Sequence, residues 1–298
     1  MGHTIPRHRP CIRFKHLPHD ETHVTTPAAE TSARRAEWDL VVEEWLAANP
    51  HPSWRQHSDE VNAALITRWL PPRREGRLLK TDLFDEIAGA GLHSVLTARA
   101  GKVCGMDVSG YTAAAASTKY PDIVASVADV RNLPFADSSF HAIVSLSTID
   151  HFTNPADIPR ALGELWRVLD ATGTLVLTLD NRSNPFVALR NALPYSFLRK
   201  LGLVSYPVGR TLTFQQARAC VSGAGFAIVE CIGVMLSPRV FAIPLLETLS
   251  RRAGSRTTAS FKKALMWMEK FQGSAIAPRL AHFVAIRAVK PAARAISR

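Results

Sequence analysis

No run of about eighteen uncharged apolar residues, the length a bilayer-spanning helix needs, occurs anywhere in the chain. The basic N-terminal stretch also lacks the apolar segment that must follow in a secretory signal, so a cytoplasmic protein is expected. Cysteine is scarce: Cys11, Cys104, Cys220 and Cys231 show no CxxC spacing, and three of them fall in apolar strand or helix patterns. Structural thiols are expected, with neither zinc nor disulfides. There is no GxGxxG loop and no core Tyr-x-x-x-Lys pair, which disfavours a nicotinamide oxidoreductase, and no internal repeat. Acidic residues are nearly missing from residues 236–298, which hold twelve Lys/Arg against two Asp/Glu.

What is present is enough for a full core. The 298 residues are 47% hydrophobic and 20% charged, which excludes disorder throughout. Of the net charge of +11, residues 1–75 contribute 0 and residues 76–235 contribute +1. The basic excess therefore lies outside the central segment, against a cationic groove for nucleic acid. An apolar stretch, residues 240–249, next to Arg251, Arg252, Arg256, Lys262 and Lys263 suggests weak contact with an anionic membrane surface or receipt of an anionic substrate, although a solvated helical face is the more common explanation of such a pattern.

The chain divides into three parts. Residues 1–30 carry His3, His8, His16, His19 and His23 at irregular spacing without partner ligands, and read as a disordered leader. Residues 31–75 read as a helical cap: Trp38, Val41, Val42, Trp45 and Leu46 recur at helical spacing, a second set runs from Val61 to Leu70, and Pro71-Pro72 stops it. From residue 76 onward, strand and helix signals alternate, as a parallel sheet with crossover helices requires. Strands are expected at Arg77–Leu83, Lys102–Asp107, Ile123–Ala128, His141–Ser147, Gly173–Leu179, Ala227–Met235 and His282–Val289. A helix over Pro155–Leu169 places Ile158, Ala161, Leu162, Leu165, Trp166 and Leu169 on one face, and a basic helical insertion covers about 237–279.

In such a sheet, ligands bind at the carboxyl ends of the strands, where the winding reverses. Acids stand there three times: Asp82 after the first strand, Asp107 after the second and Asp129 after the third. Asp107, 25 residues after Asp82, has the spacing at which an acid accepts both hydroxyls of a ribose. Asp129 can accept from an exocyclic amine while Val130 and Leu133 pack the ring. Taken singly, each acid would be explained as a helix N-cap.

The segments DVRNLPFADSSFHAIVSLSTIDHF (129–152) and ALGELWRVLDATGTLVLTLDN (161–181) resemble class I S-adenosylmethionine-dependent methyltransferases, and the resemblance spans about Arg77 to Met235. It implies an α/β, Rossmann-like, seven-stranded, mostly parallel sheet of order 3-2-1-4-5-7-6 with helices on both faces, the last strand antiparallel. It implies S-adenosyl-L-methionine as cofactor, with Asp107 and Val108 at the ribose, Asp129, Val130 and Arg131 at the adenine, and Ser147 on the methionine side. One departure stands out. The family's Gly-x-Gly turn after the first strand is replaced by Asp82-Leu83-Phe84-Asp85-Glu86, and Gly89 and Gly91 come later. Either Asp82, Leu83 and Phe84 form a rebuilt cofactor loop, or the fold serves protein or membrane-surface contact without the cofactor.

Methyl transfer needs a positioned nucleophile and, for a hydroxyl or amine, a proton acceptor. His151 follows the fourth strand and suits that work, since imidazole as a class titrates near neutrality; packing of the following loop accounts for it equally. Asp150, Asn181 and Asn184, also at strand ends, are expected near a substrate, although Asn before Pro is an ordinary turn former. The residues at 181–185 do not form the NPPY or DPPY motif of nucleic-acid amine methyltransferases, so a small-molecule, natural-product, lipid or glycan acceptor is expected rather than nucleic acid.

Overall fold

The protein is described from a computed structural model covering residues 27–49, 51–200, 204, 209 and 211–292. The histidine-rich stretch through His23 and Cys11 lie outside the described residues. The order of elements is α1 (Pro27–Ala48), α2 (Pro52–Trp69), β1 (Arg77–Lys80), α3 (Phe84–Ala88), α4 (His93–Thr97), β2 (Lys102–Asp107), α5 (Gly110–Lys119), β3 (Val124–Val127), β4 (Phe140–Leu146), α6 (Asp157–Val168), β5 (Leu169–Asp180), α7 (Pro185–Ala192), α8 (Tyr195–Lys200), α9 (Phe214–Gly223), β6 (Ala227–Val234), α10 (Arg239–Arg252), α11 (Ser255–Met268), α12 (Ala277–Leu280) and β7 (Phe283–Val289). Residues 27–30, read from sequence as leader, thus belong to a helix.

The seven strands form one sheet in the order β3-β2-β1-β4-β5-β7-β6, with β7 antiparallel to both of its neighbours. The central strands are apolar on both sides because helices cover both faces: Leu78, Leu79, Ile143, Val144, Leu175 and Val176 are all 0% exposed. Two buried clusters result, one per face. α6 shows how the sequence drives this. Ile158, Ala161, Leu162, Leu165 and Val168 form one buried stripe, and each large side chain contributes about 1.5–3 kcal/mol. Trp166 departs from the expected stripe: it is 37% exposed, with Lys290 Nζ 4.0 Å from its ring centre. Leu169 instead begins β5 and pairs with Phe140.

β1 ends at Lys80, three residues short of the expected Leu83, because Asp82 turns the chain by accepting the Phe84 amide on Oδ1 at 2.9 Å. The short helices α3 and α4 fill the β1–β2 connection, where the sequence shows no helical periodicity. α9 begins with a capping box between Thr213 and Gln216.

Candidate functional site

A cavity of ≈ 220 Å³ opens at the carboxyl ends of β1, β2, β3 and β4. Its floor is made by Thr81, Asp82, Asp107, Val108, Asp129 and Val130, and its far wall by Ser147, Thr148 and His151. α1 closes the top with Trp38, Val41, Val42 and Trp45. The three acids expected at successive strand ends therefore face a single space. Phe84 forms wall rather than plug: its ring packs edge-on against Trp45, centroids 4.9 Å apart, beside the open volume.

Each acid is held in a different way. Asp107 Oδ2 accepts the Leu83 amide at 3.0 Å and Oδ1 the Ser109 amide at 2.9 Å, and each oxygen keeps a second lone pair. Burial, joined by the charge of Asp82, pushes the Asp107 carboxyl up to about 7 against those two donors. Burial, together with Asp85 and Glu86, pushes Asp82 up to about 6, although Lys80 pulls the other way. Asp129 is gripped by the Arg131 guanidinium, at 3.0–3.1 Å through Nε and 2.6 Å through an Nη. Arg131 also reaches Asp157 at 2.7 Å and stacks over Phe152, so it braces Asp129 from behind and is not part of the cavity wall.

The glycine-free loop is a buried ion network that no local sequence pattern reveals. Lys80, 1% exposed, donates to the Asp82 carbonyl at 2.6 Å and pairs with Glu86 at 2.8 Å and Asp85 at 3.4 Å. Although burial opposes its ionisation, Arg55 and Lys80 hold the Asp85 carboxyl below the usual carboxylate range. Arg55 comes from α2, pairing with Asp85 at 2.9 Å and Asp59 at 2.7 Å. Gly89 and Gly91 pack on Asp59 and Glu86, away from the cavity, so they do not replace the missing turn. The bare backbone sits one strand over instead. A Cβ at Gly105 in β2 would lie 2.5 Å from Leu83 Cδ2, and that space lets Leu83 turn fully inward. Leu83, expected at the cofactor, is therefore core, and only its amide serves the site through Asp107.

Beyond β4 the chain bends through Ser147, whose φ of 50° lies in the sparsely populated left-handed region. A single 3₁₀ turn, Ile149–His151, follows. His151 faces the cavity, its ring edge-on to Trp38 at 5.2 Å and its Nε2 3.9 Å from Asp150 Oδ1. The residues expected near a substrate lie elsewhere. Asp150 is 2% exposed and accepts from Ser147 Oγ at 2.9 Å and the Asp180 amide at 2.8 Å. Asn181 donates to the carbonyls of Pro278 and Ala281, and Asn184 caps α7 while donating to the Leu280 carbonyl. These three side chains tie strand ends to neighbouring backbone and do not line the cavity.

The lid is anchored in a way the tryptophan spacing did not reveal. Asp39 of α1 accepts from Ser109 Oγ at 2.5 Å and from the Tyr111 amide at 3.1 Å, at the N-terminus of α5 where a carboxylate is favoured. Among the described residues, no group of three or more His, Cys, Asp and Glu is placed to hold a metal ion.

Residues 87–177 match the family model described as a methyltransferase domain. That match covers 91 of the 298 residues, and the sheet has the strand order of the class I methyltransferase fold. The match to this domain begins at Ile87, immediately after the ion-paired loop, and ends inside β5. Among solved structures, the chain resembles the [4+2]-cyclase SpnF at 20% identity and a TM-score of 0.59, covering 88% of this chain and 97% of that one. It also resembles a SAM-dependent methyltransferase from Thermotoga maritima at 18% identity and a TM-score of 0.54, covering 88% and 98%. A third is phosphoethanolamine N-methyltransferase 2 of Haemonchus contortus, solved with S-adenosyl-L-methionine, at 18% identity and a TM-score of 0.51, covering 77% of this chain and 52% of that one. Similarities at this level establish the fold alone. No curated protein matches the sequence significantly.

Proposed function

We propose that the chain is an S-adenosylmethionine-dependent methyltransferase acting on a small-molecule, natural-product, lipid or glycan acceptor. The observation that carries this reading is the convergence of Asp82, Asp107 and Asp129, from three neighbouring strand ends, on one cavity lidded by tryptophans. The donor set fits the nucleoside half of the cofactor: Asp107 has lone pairs left for two hydroxyls, and Val108 and Val130 flank a flat ring. The methionine half would be held by side chains, Asp82 and Phe84 with Ser147 and Thr148, in place of the family's bare-backbone turn. When bound, the cofactor supplies a methyl group on a sulfonium. Trp38, Trp45 and Phe84 exclude water from the cavity, and His151 takes the proton of an acceptor hydroxyl or amine.

Isothermal titration with S-adenosylmethionine and S-adenosylhomocysteine tests the reading, and saturable heat with either supports it. The absence of heat with both would favour the second reading, to which the ion-paired loop points: a methyltransferase fold that no longer takes the cofactor. The resemblance to a [4+2]-cyclase illustrates that the fold alone does not fix the reaction.

Two further results are expected. A cation entering the cavity favours the ionised forms of Asp82 and Asp107, whose carboxyls titrate near 6 and 7. Affinity for the sulfonium cofactor should therefore rise several-fold from pH 5.5 to about 8, more steeply than for S-adenosylhomocysteine, and binding near pH 6 should release protons into the buffer. Titrations in buffers of different ionisation enthalpy measure that release. The empty protein behaves oppositely. Its raised carboxyls favour folding below the unfolded value near pH 4, and that contribution is lost as pH climbs through 6 and 7. Second, His151→Ala should slow turnover about 10²–10⁴-fold with little change in cofactor affinity. Unchanged turnover would reduce His151 to a packing partner of Trp38.

A further inference from the structure

The segment after β6 lends Arg239 to the cavity wall and otherwise presents a surface that the cavity does not use. Its two acids are both turned inward: Glu247 accepts the Trp54 amide at 2.9 Å, and Glu269 accepts the amides of Met235 and Leu236 at 3.0 and 2.9 Å. What remains outside is of one sign, with Arg251, Arg252, Arg256, Lys263, Lys270 and Arg279 all exposed. The same segment also exposes large apolar side chains: Phe241 is 67% exposed, Trp267 56%, Ile276 53%, Phe271 46% and Leu280 44%. Lys263, Trp267, Lys270 and Phe271 follow at i, i+4, i+7 and i+8, which places cation and ring on one helical face, and the Trp267 and Phe271 rings meet edge-on at 5.0 Å. Phe241 meets Phe186 of α7 at 6.0 Å, and Asn184 at the head of α7 bonds the Leu280 carbonyl, so α7, α10 and α12 adjoin.

From this arrangement we infer that the α10–α12 surface docks on an anionic lipid membrane, with Trp267, Phe271 and their aliphatic neighbours entering the headgroup boundary and the cations resting on lipid phosphates. Interleaved aromatic, aliphatic and cationic side chains have that chemistry. A second copy of the chain fits poorly, because a two-fold contact would press the same cations together. Single-stranded nucleic acid would use the rings but leave Ile276 and Leu280 without a role, since bases stack on π-faces. No described helix is long and apolar enough to cross a bilayer, so the contact is peripheral.

The test is sedimentation of the full chain with phosphatidylcholine vesicles, with and without phosphatidylserine, at low and high salt. Binding is expected only with phosphatidylserine and should weaken as salt is added. Lys263→Glu with Lys270→Glu should lower the partition coefficient about fivefold for each cation removed. Trp267→Ser with Phe271→Ser should lower it at unchanged net charge, which pure electrostatic attraction would not do. Brominated lipid should quench the tryptophan fluorescence of the wild type more than that of Trp267→Phe, a readout that needs no disruptive variant. The proposal is overturned by equal partition to neutral vesicles, by no partition, by indifference to both double variants, or by a dimer that the aromatic variants dissolve. Vesicle binding is independent of cofactor heat, so this surface and the cavity reading fail separately.

Discussion

Asp107→Ala is expected to damage both the cofactor site and the fold. Its two oxygens hold the amides of Leu83 and Ser109, one on each side of the cavity floor. Removing them strands two buried donors, which costs on the order of 2–4 kcal/mol, and deletes the acceptors available to a ribose. Cofactor affinity should fall on the order of 100-fold or more, and urea unfolding should shift by the stated amount. Asp107→Asn separates the two effects: it keeps one acceptor, so stability should return further than affinity. Unchanged affinity in both variants, measured by titration calorimetry, would move the nucleoside away from β2.

Lys80→Met should be the more severe lesion for stability. The ammonium lies fully buried among Asp82, Asp85 and Glu86, and without it like charges face one another away from water. Removing one member of a buried charge set typically costs about 3–5 kcal/mol. The loss should shrink as pH is lowered towards 5, where protonation relieves the carboxylates, and adding Glu86→Gln to Lys80→Met should recover part of it at pH 7. If chemical denaturation found Lys80→Met as stable as the wild type at neutral pH, the network would not be what holds the loop.

The elements that depend on local pattern were readable before any coordinates. The α6 stripe from Ile158 to Leu165 and the apolar β4 lie close to where periodicity put them, whereas Trp166 leaves the stripe and β5 starts four residues early at Leu169. Strand ends differ by up to four residues, most clearly after β1, where Asp82 redirects the backbone. The cavity wall contains Asp82, Phe84, Asp107, Val108, Asp129, Val130, Ser147 and His151, to which strand-end position and the family resemblance together pointed. Leu83, Arg131, Asp150, Asn181 and Asn184 share the same strand ends yet point elsewhere. A strand-end position fixes where a Cα sits, but the partner a side chain finds decides which way it turns.

The alternating pattern already called for a largely parallel sheet with crossover helices, because two-sided apolar strands alternating with amphipathic helices bury their surfaces in few other ways. The strand order and the antiparallel last strand came from the family resemblance. Tertiary structure alone decided how the glycine-free loop is held. Arg55 and Asp59 reach it from a helix some thirty residues upstream, Gly105 clears space for Leu83 from the next strand, and Asp39 fastens the lid to α5. Contacts between residues so far apart along the chain leave no periodic trace, and they exist only once the strands have brought them together.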